Sequence, residues 1–155
     1  MDSKILIAYA SKCGSTGEVA QAIGQSLCEK GVAADVRPVK SVTSLDGYRA
    51  VVIGSAIRFG QWLPEAVEFV KNNQARLSQI PTAFFTGHML AVDDSEDSRK
   101  RRQAYTDPVR KILTPKAEVF FAGKIDFARL SFLERLIRRI VSNAGVSPVD
   151  TWWTV

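Results

Sequence analysis

Residues 11 to 16, Ser11-Lys12-Cys13-Gly14-Ser15-Thr16, place three hydroxyls, a thiol and a glycine between a short apolar run and a helix-like pattern. Ser11, Ser15 and Thr16 can donate to an anion, and Gly14 lets a ligand approach the backbone. The first amides of a following helix would point into the same space with the positive end of its dipole. This is the chemistry of a phosphate cradle. Serine and threonine also cap helices with no ligand present, and spacing alone leaves both readings open.

Rival sites fail on spacing. A Walker loop needs G-x-x-x-x-G-K-[ST], but Gly14 is followed by Gly17 and then Glu18. A dinucleotide fingerprint needs G-x-G-x-x-G, and no such triple occurs. A cysteine phosphatase of the C-x5-R type needs an arginine where Val19 stands, and a receiver domain needs acids where the chain has Ala10-Ser11 and Gly54-Ser55.

The elements that must position this loop are legible as apolar runs alternating with helical patterns. Lys4 to Tyr9, Ala50 to Ile53, Thr82 to Phe85 and Glu118 to Ala122 read as buried strands. Residues 33 to 39 alternate and contain Pro38, which predicts an edge strand. Val19, Ala20, Ile23 and Leu27 share one face of a helix over about 16 to 28, with Gly31 where it stops. Pro64 opens a second helix carrying Ala66, Val67 and Val70, and Asp107-Pro108 is expected to open a third through Leu113. Ser131 caps a last helix with Phe132, Leu133, Leu136, Ile137, Ile140 and Val141 on one side and Arg135, Arg138 and Arg139 on the other. Five strands with intervening helices imply an open parallel sheet covered on both faces. Ligands of such sheets sit beyond the carboxyl ends of the strands, where strand order reverses. The hydroxyl loop follows the first strand at that end.

Composition sets the outer bounds. With 155 residues, 46% hydrophobic and 24% charged, residues 1–155 are expected to form one domain. No signal peptide or membrane span is expected. A cytoplasmic location follows as the expectation. Cys13 and Cys28, about 18 Å apart along a helical rise, are expected to be free thiols. One histidine and no paired Cys/His spacing argue against a metal site. The formal charge of +5 lies entirely in the last 61 residues. No stacking aromatics interleave with the basic tract, so nucleic acid is not an expected partner.

At this point a resemblance becomes specific. S-K-C-G-S-T resembles the T/S-x-T-G-x-T phosphate loop of flavodoxins, with Cys13 replacing a hydroxyl residue and Ser15 standing where asparagine is common. "VVIGSAIRFGQW" (51–62) is similar to the second flavin loop of the flavodoxin-like, menaquinone-dependent protoporphyrinogen oxidases. That family's G-x-S-I-R-Y-G pattern appears as Gly54, Ala56, Ile57, Arg58, Phe59 and Gly60, with Ser55 shifted by one. "EFVKNNQARLSQIPTAFF" and "VFFAGKIDFARLSFLERLIRRI" extend the resemblance from about Lys4 to Ile140. The family continues past its D-x-x-W region into a final helix, whereas this sequence ends at "VDTWWTV".

The resemblance implies a flavodoxin-like, doubly wound, five-stranded parallel sheet of order 2-1-3-4-5 with helices on both faces. It implies FMN, its phosphate on Ser11, Lys12, Cys13, Gly14, Ser15 and Thr16. The ring would lie between Ser55, Ala56, Ile57, Arg58, Phe59 and Gly60 and the later loop of Thr86, Gly87, His88, Met89, Leu90 and Ala91. Trp62 reads either as a ring wall or as a core anchor, and His88 as an ordinary loop histidine or a proton carrier. Arg58 is the candidate catalytic residue, stabilising reduced flavin or gripping a substrate carboxylate.

The implied reaction is oxidation of protoporphyrinogen IX with a quinone as acceptor. A flavodoxin-type electron carrier and a flavinless interaction module are the alternatives. Carrier flavodoxins are typically acidic around the flavin, whereas this chain has a pI of 9.4. The tract at 93–102, four acids and then four bases, reads as a solvated helix start or as a basic rim for propionates or anionic lipid. The basic C-terminal part points to peripheral contact with an anionic membrane surface.

Overall fold

The computed structural model of the protein describes residues 4–11, 15–58, 60–88 and 96–122, with main chain only for 15, 88, 96–99, 101–103 and 120–122. In chain order the elements are β1 (Lys4–Ala10), α1 (Ser15–Glu29), β2 (Ala34–Pro38), a 3-10 turn (Val39–Ser41), β3 (Tyr48–Arg58), β4 (Gln61–Trp62), α2 (Pro64–Asn72), α3 (Gln74–Leu77), β5 (Thr82–His88), α4 (Glu96–Arg110) and β6 (Ala117–Ala122). Five strands form one parallel sheet in the order β2-β1-β3-β5-β6, and β4 pairs only with β3. With β4 set aside, this is the expected 2-1-3-4-5 order. The expected edge strand is β2.

Successive side chains of each strand point to opposite faces, and both faces are covered. Ile5, Ile7, Ala50, Val52, Ala83, Phe85, Ala117 and Val119 pack with Val19, Ala20, Ile23 and Leu27 of α1. On the other face Leu6, Ala8, Val51, Ile53 and Phe84 meet Ala66, Phe69 and Val70 of α2, and Val109 at the end of α4. This two-sided burial is why β1 and β3 read as unbroken apolar runs. At Gly54 a Cβ would lie 2.0 Å from Cζ of Phe85, so the ring of Phe85 uses the space that only glycine leaves.

Helix α1 ends where its sequence says it should. The Gly31 amide donates to the Cys28 carbonyl at 3.1 Å and the Val32 amide to that of Leu27 at 2.9 Å, with Gly31 at φ 84°. These two bonds form a Schellman cap, which glycine adopts without steric cost.

The helix expected to open at Asp107-Pro108 is a correction. Helix α4 starts at Glu96 and runs to Arg110, so Pro108 lies inside its last turn and Leu113 lies beyond it. Proline favours a first turn because it lacks an N–H, but here only the Ala104 carbonyl loses a donor. Ala104 and Pro108 are both exposed, so the break in the helix ladder falls on the solvent side of α4. The expected last helix, Ser131 to Val141, lies outside the described residues.

Candidate functional site

Parallel register brings the candidate residues together. Ala10 pairs with Ser55, Ser55 with Thr86, and Ala56 with Gly87. The segments 11–16, 55–60 and 86–91 therefore leave the carboxyl ends of three adjacent strands. Order reverses here, since β1 leads to β2 on one side while β3 and β5 continue on the other. Lys12, Cys13, Gly14, Phe59, Met89, Leu90 and Ala91 lie outside the described residues, and His88 is described in main chain only.

The first turn of α1 closes tightly on this end of the sheet. Thr16 is buried. A Cβ on Gly87 would lie 3.2 Å from Oγ1 of Thr16, and one on Gly17 would lie 3.1 Å from the ring of Tyr9. Glycine at 87 thus lets β5 approach the amino end of a 15-residue helix, whose first amides have no intrahelical acceptors. Ser11, directly after β1, is half-buried, and Glu18, the first acid after it in the sequence, is exposed.

The segment 55–60 is more ordered than a loop. Strand β3 continues to Arg58, and Gln61–Trp62 returns antiparallel, with Ile57 opposite Trp62 and Arg58 opposite Gln61. Gly60 occupies the connection at φ 73°, the positive φ that tight hairpin turns require. Two side chains fasten the base of this hairpin. The Ser55 hydroxyl donates to the Ala56 carbonyl at 2.7 Å and accepts from the Leu63 amide at 2.9 Å, at the start of α2. The Trp62 indole N–H donates to Oγ1 of Thr86 at 2.9 Å, and its ring packs on Phe84 with centroids 4.9 Å apart.

These contacts sort the predicted residues by what they present. Ser55 and Thr86 are fully buried and their hydroxyls serve the scaffold, so toward a ligand they present main chain. Trp62, 3% exposed, is a core anchor and not an open wall. Ala56 and Ile57 are half-buried and Arg58 is exposed on the hairpin. Helix α4 packs against β4.

The hairpin itself and the Trp62–Thr86 bond are not evident from sequence patterning. A two-residue return strand is too short to show periodicity; the signal was Phe59-Gly60 between alternating Ile57/Arg58 and Gln61/Trp62.

The donor set suits a ligand that is anionic at one end and flat and apolar at the other. The amino end of α1 and Ser11 lie at the carboxyl end of β1, and half-buried Ala56 and Ile57 lie at the carboxyl end of β3. Phosphate and ring of FMN fit that division. Among the described residues no group of three or more His, Cys, Asp or Glu is placed to hold a metal ion, and no helix is long and apolar enough to cross a membrane. Cys28 is an exposed free thiol near the far end of α1.

Comparison with known proteins agrees with this arrangement. The family described as "Flavodoxin domain" matches residues 6–150. The chain is similar to "Protoporphyrinogen IX dehydrogenase [quinone]" of Escherichia coli (strain K12), 28% identical over 155 residues, covering 96% of this chain and 83% of that protein. A protein of the same name from Leishmania major is 28% identical over 156 residues, covering 96% of this chain and 66% of its own length. Among solved structures, the two-electron reduced flavodoxin of Megasphaera elsdenii superimposes with a TM-score of 0.69 at 14% identity, covering 87% of this chain and 98% of that one.

Proposed function

The chain belongs to the flavodoxin-domain family, and from that premise we propose that it is an FMN-dependent oxidoreductase oxidising protoporphyrinogen IX to protoporphyrin IX with a quinone as acceptor. The observation that carries the reading is Arg58, exposed on a hairpin fixed beside the strand ends, in a chain 28% identical over nearly its whole length to proteins named for that reaction.

FMN bound here would supply the acceptor for the electrons removed from the porphyrinogen and hand them to the quinone. The rest falls to the protein. Residues 11 to 16 and the amino end of α1 hold the phosphate, Gly14 leaving room for its approach and Gly87 letting α1 close on β5. The segments 55–60 and 86–91 flank the ring, Ala56 and Ile57 providing apolar wall. Arg58 pairs with a propionate and so orients the substrate toward the ring. Residues 1–155 act as one domain, and the basic C-terminal part meets an anionic membrane surface where quinone is dissolved.

The rival reading, an electron carrier, draws on the likeness to carrier flavodoxins. The net charge of +5 and the arginine on the hairpin favour the enzyme. Spectra of the purified protein before and after adding FMN, then after anaerobic protoporphyrinogen IX and a soluble quinone, test the proposal. Bound yellow flavin and porphyrinogen-dependent quinone reduction are expected. A protein that binds FMN and exchanges electrons with a flavodoxin reductase, yet leaves porphyrinogen untouched, is a carrier.

A further inference from the structure

We propose that Trp62 is a positioning residue whose indole N–H, held by Thr86, fixes the span between the 55–62 hairpin and the end of β5, and thereby the width of the slot for the flavin ring. The inference rests on the flavin site proposed above and adds to it a residue that touches no ligand.

The hairpin extends past the pairing of β3 with β5, and among the described residues strand pairing beyond Ala56 connects it only to itself, through Ile57–Trp62 and Arg58–Gln61. Its sideways position relative to β5 therefore depends on side-chain contacts, with α4 packing on β4 from outside the sheet. Ser55 ties Leu63 back to β3, which fastens the hairpin to its own strand. The bond of 2.9 Å from Trp62 to Thr86 crosses to β5. Both partners are buried, Trp62 to 3% and Thr86 fully. Water does not take the place of either partner there, so losing one leaves the other unsatisfied. The contact of Trp62 with Phe84, on β5 two residues before Thr86, seats the indole so that its N–H reaches that oxygen. One side chain thus joins the two segments proposed to lie on either side of the ring.

Trp62→Phe keeps an aromatic ring against Phe84 and removes the N–H. Thr86→Val removes the acceptor and keeps the shape, and Thr86→Ser restores an acceptor. Three readouts separate positioning from simple destabilisation: thermal melting, hydrogen exchange of the hairpin amides in the apoprotein, and titration with both FMN and riboflavin, which share the ring but not the phosphate. Trp62→Phe and Thr86→Val should each melt cooperatively, exchange faster over 55–62 than over the rest of β3, and weaken both flavins by one common factor of about threefold to tenfold. The double variant should lose no more than either single one, and Thr86→Ser should keep the parent's hairpin exchange and flavin affinities while melting somewhat lower for its lost buried methyl. Should Trp62→Phe not melt cooperatively, Thr86→Val and Thr86→Ser carry the comparison.

Unchanged hairpin exchange, unchanged riboflavin affinity, or losses that add in the double variant would overturn the proposal. Binding of neither flavin by the parent overturns the flavin reading and this slot with it. Faster hairpin exchange in the variants would then still establish the tie as structural.

Discussion

Arg110 near the end of α4 places Nη2 2.9 Å from Oε2 of Glu118 on β6, and the carboxylate is only 2% exposed. Thr106 donates to the other oxygen at 2.7 Å. The arginine side chain is 24% exposed, so the two halves of the pair are unequally desolvated. Arg110→Ala abandons a buried carboxylate and should cost about 3 to 5 kcal/mol. Glu118→Gln leaves a guanidinium that water still reaches and should cost about 1 to 2 kcal/mol. Urea unfolding of the two variants checks the order.

Gly54→Ala should destabilise the fold by about 1 to 3 kcal/mol or more, because its Cβ would fall 2.0 Å from the Phe85 ring. Gly54→Ala combined with Phe85→Leu should recover part of that loss. Denaturation midpoints read both.

Gly87→Ala pushes a methyl to within 3.2 Å of Oγ1 of Thr16, so the first turn of α1 must shift by a few tenths of an ångström. On the proposed site this turn holds the phosphate. FMN affinity should fall about tenfold, with riboflavin little affected. Fluorescence titration of the two flavins checks it, and equal losses would mean that α1 does not hold the phosphate.

Arg58→Ala should stay yellow and lose roughly tenfold to a hundredfold in kcat/KM for protoporphyrinogen IX. The loss should shrink for a porphyrinogen whose propionates are esterified. Steady-state assays with a soluble quinone provide the comparison.

At the opposite end of the sheet the hydroxyl of Tyr48 donates to Oδ2 of Asp35 at 2.8 Å. Burial first, and then this carboxylate, push the phenol above its ordinary 10.0. The unfolded chain therefore releases this proton before the folded chain does, and folding stability falls as pH rises above 10.0. Below that pH the contribution is fully present. Tyr48→Phe should flatten the alkaline part of a stability-versus-pH curve measured by urea unfolding.

Much of the scaffold was legible because burial on both faces writes itself as continuous apolar runs, as in Leu6-Ile7-Ala8 and Val51-Val52-Ile53. Gly31 marked the end of α1 through a local rule. Three features were hidden for physical reasons. Polar residues dominate α4, so its length did not show as periodicity, and Pro108 imitated a start. Glu118 sits in an apolar run, and the partners that make its burial tolerable come from a different element. The hydroxyls of Ser55 and Thr86 look available in sequence, yet both are consumed by Leu63 and Trp62. The loop positions themselves followed from strand ends and from the family resemblance, whereas the use each side chain makes of its atoms is decided by tertiary contacts.

The outer margin formed by β2 has a consequence for crowding. The Ile5 amide donates to the Ala33 carbonyl, and hydrogen bonding in a parallel pair alternates along the strand. Residues 34, 36 and 38 therefore turn their main chain away from β1. Pro38 has no N–H to offer, which leaves the amides of Ala34 and Val36 as the donors of that margin, with exposed Arg37 between Val36 and the proline. So short and charged a border gives an incoming strand little to register on, and fibrous growth of sheet upon sheet is checked there at high protein concentration.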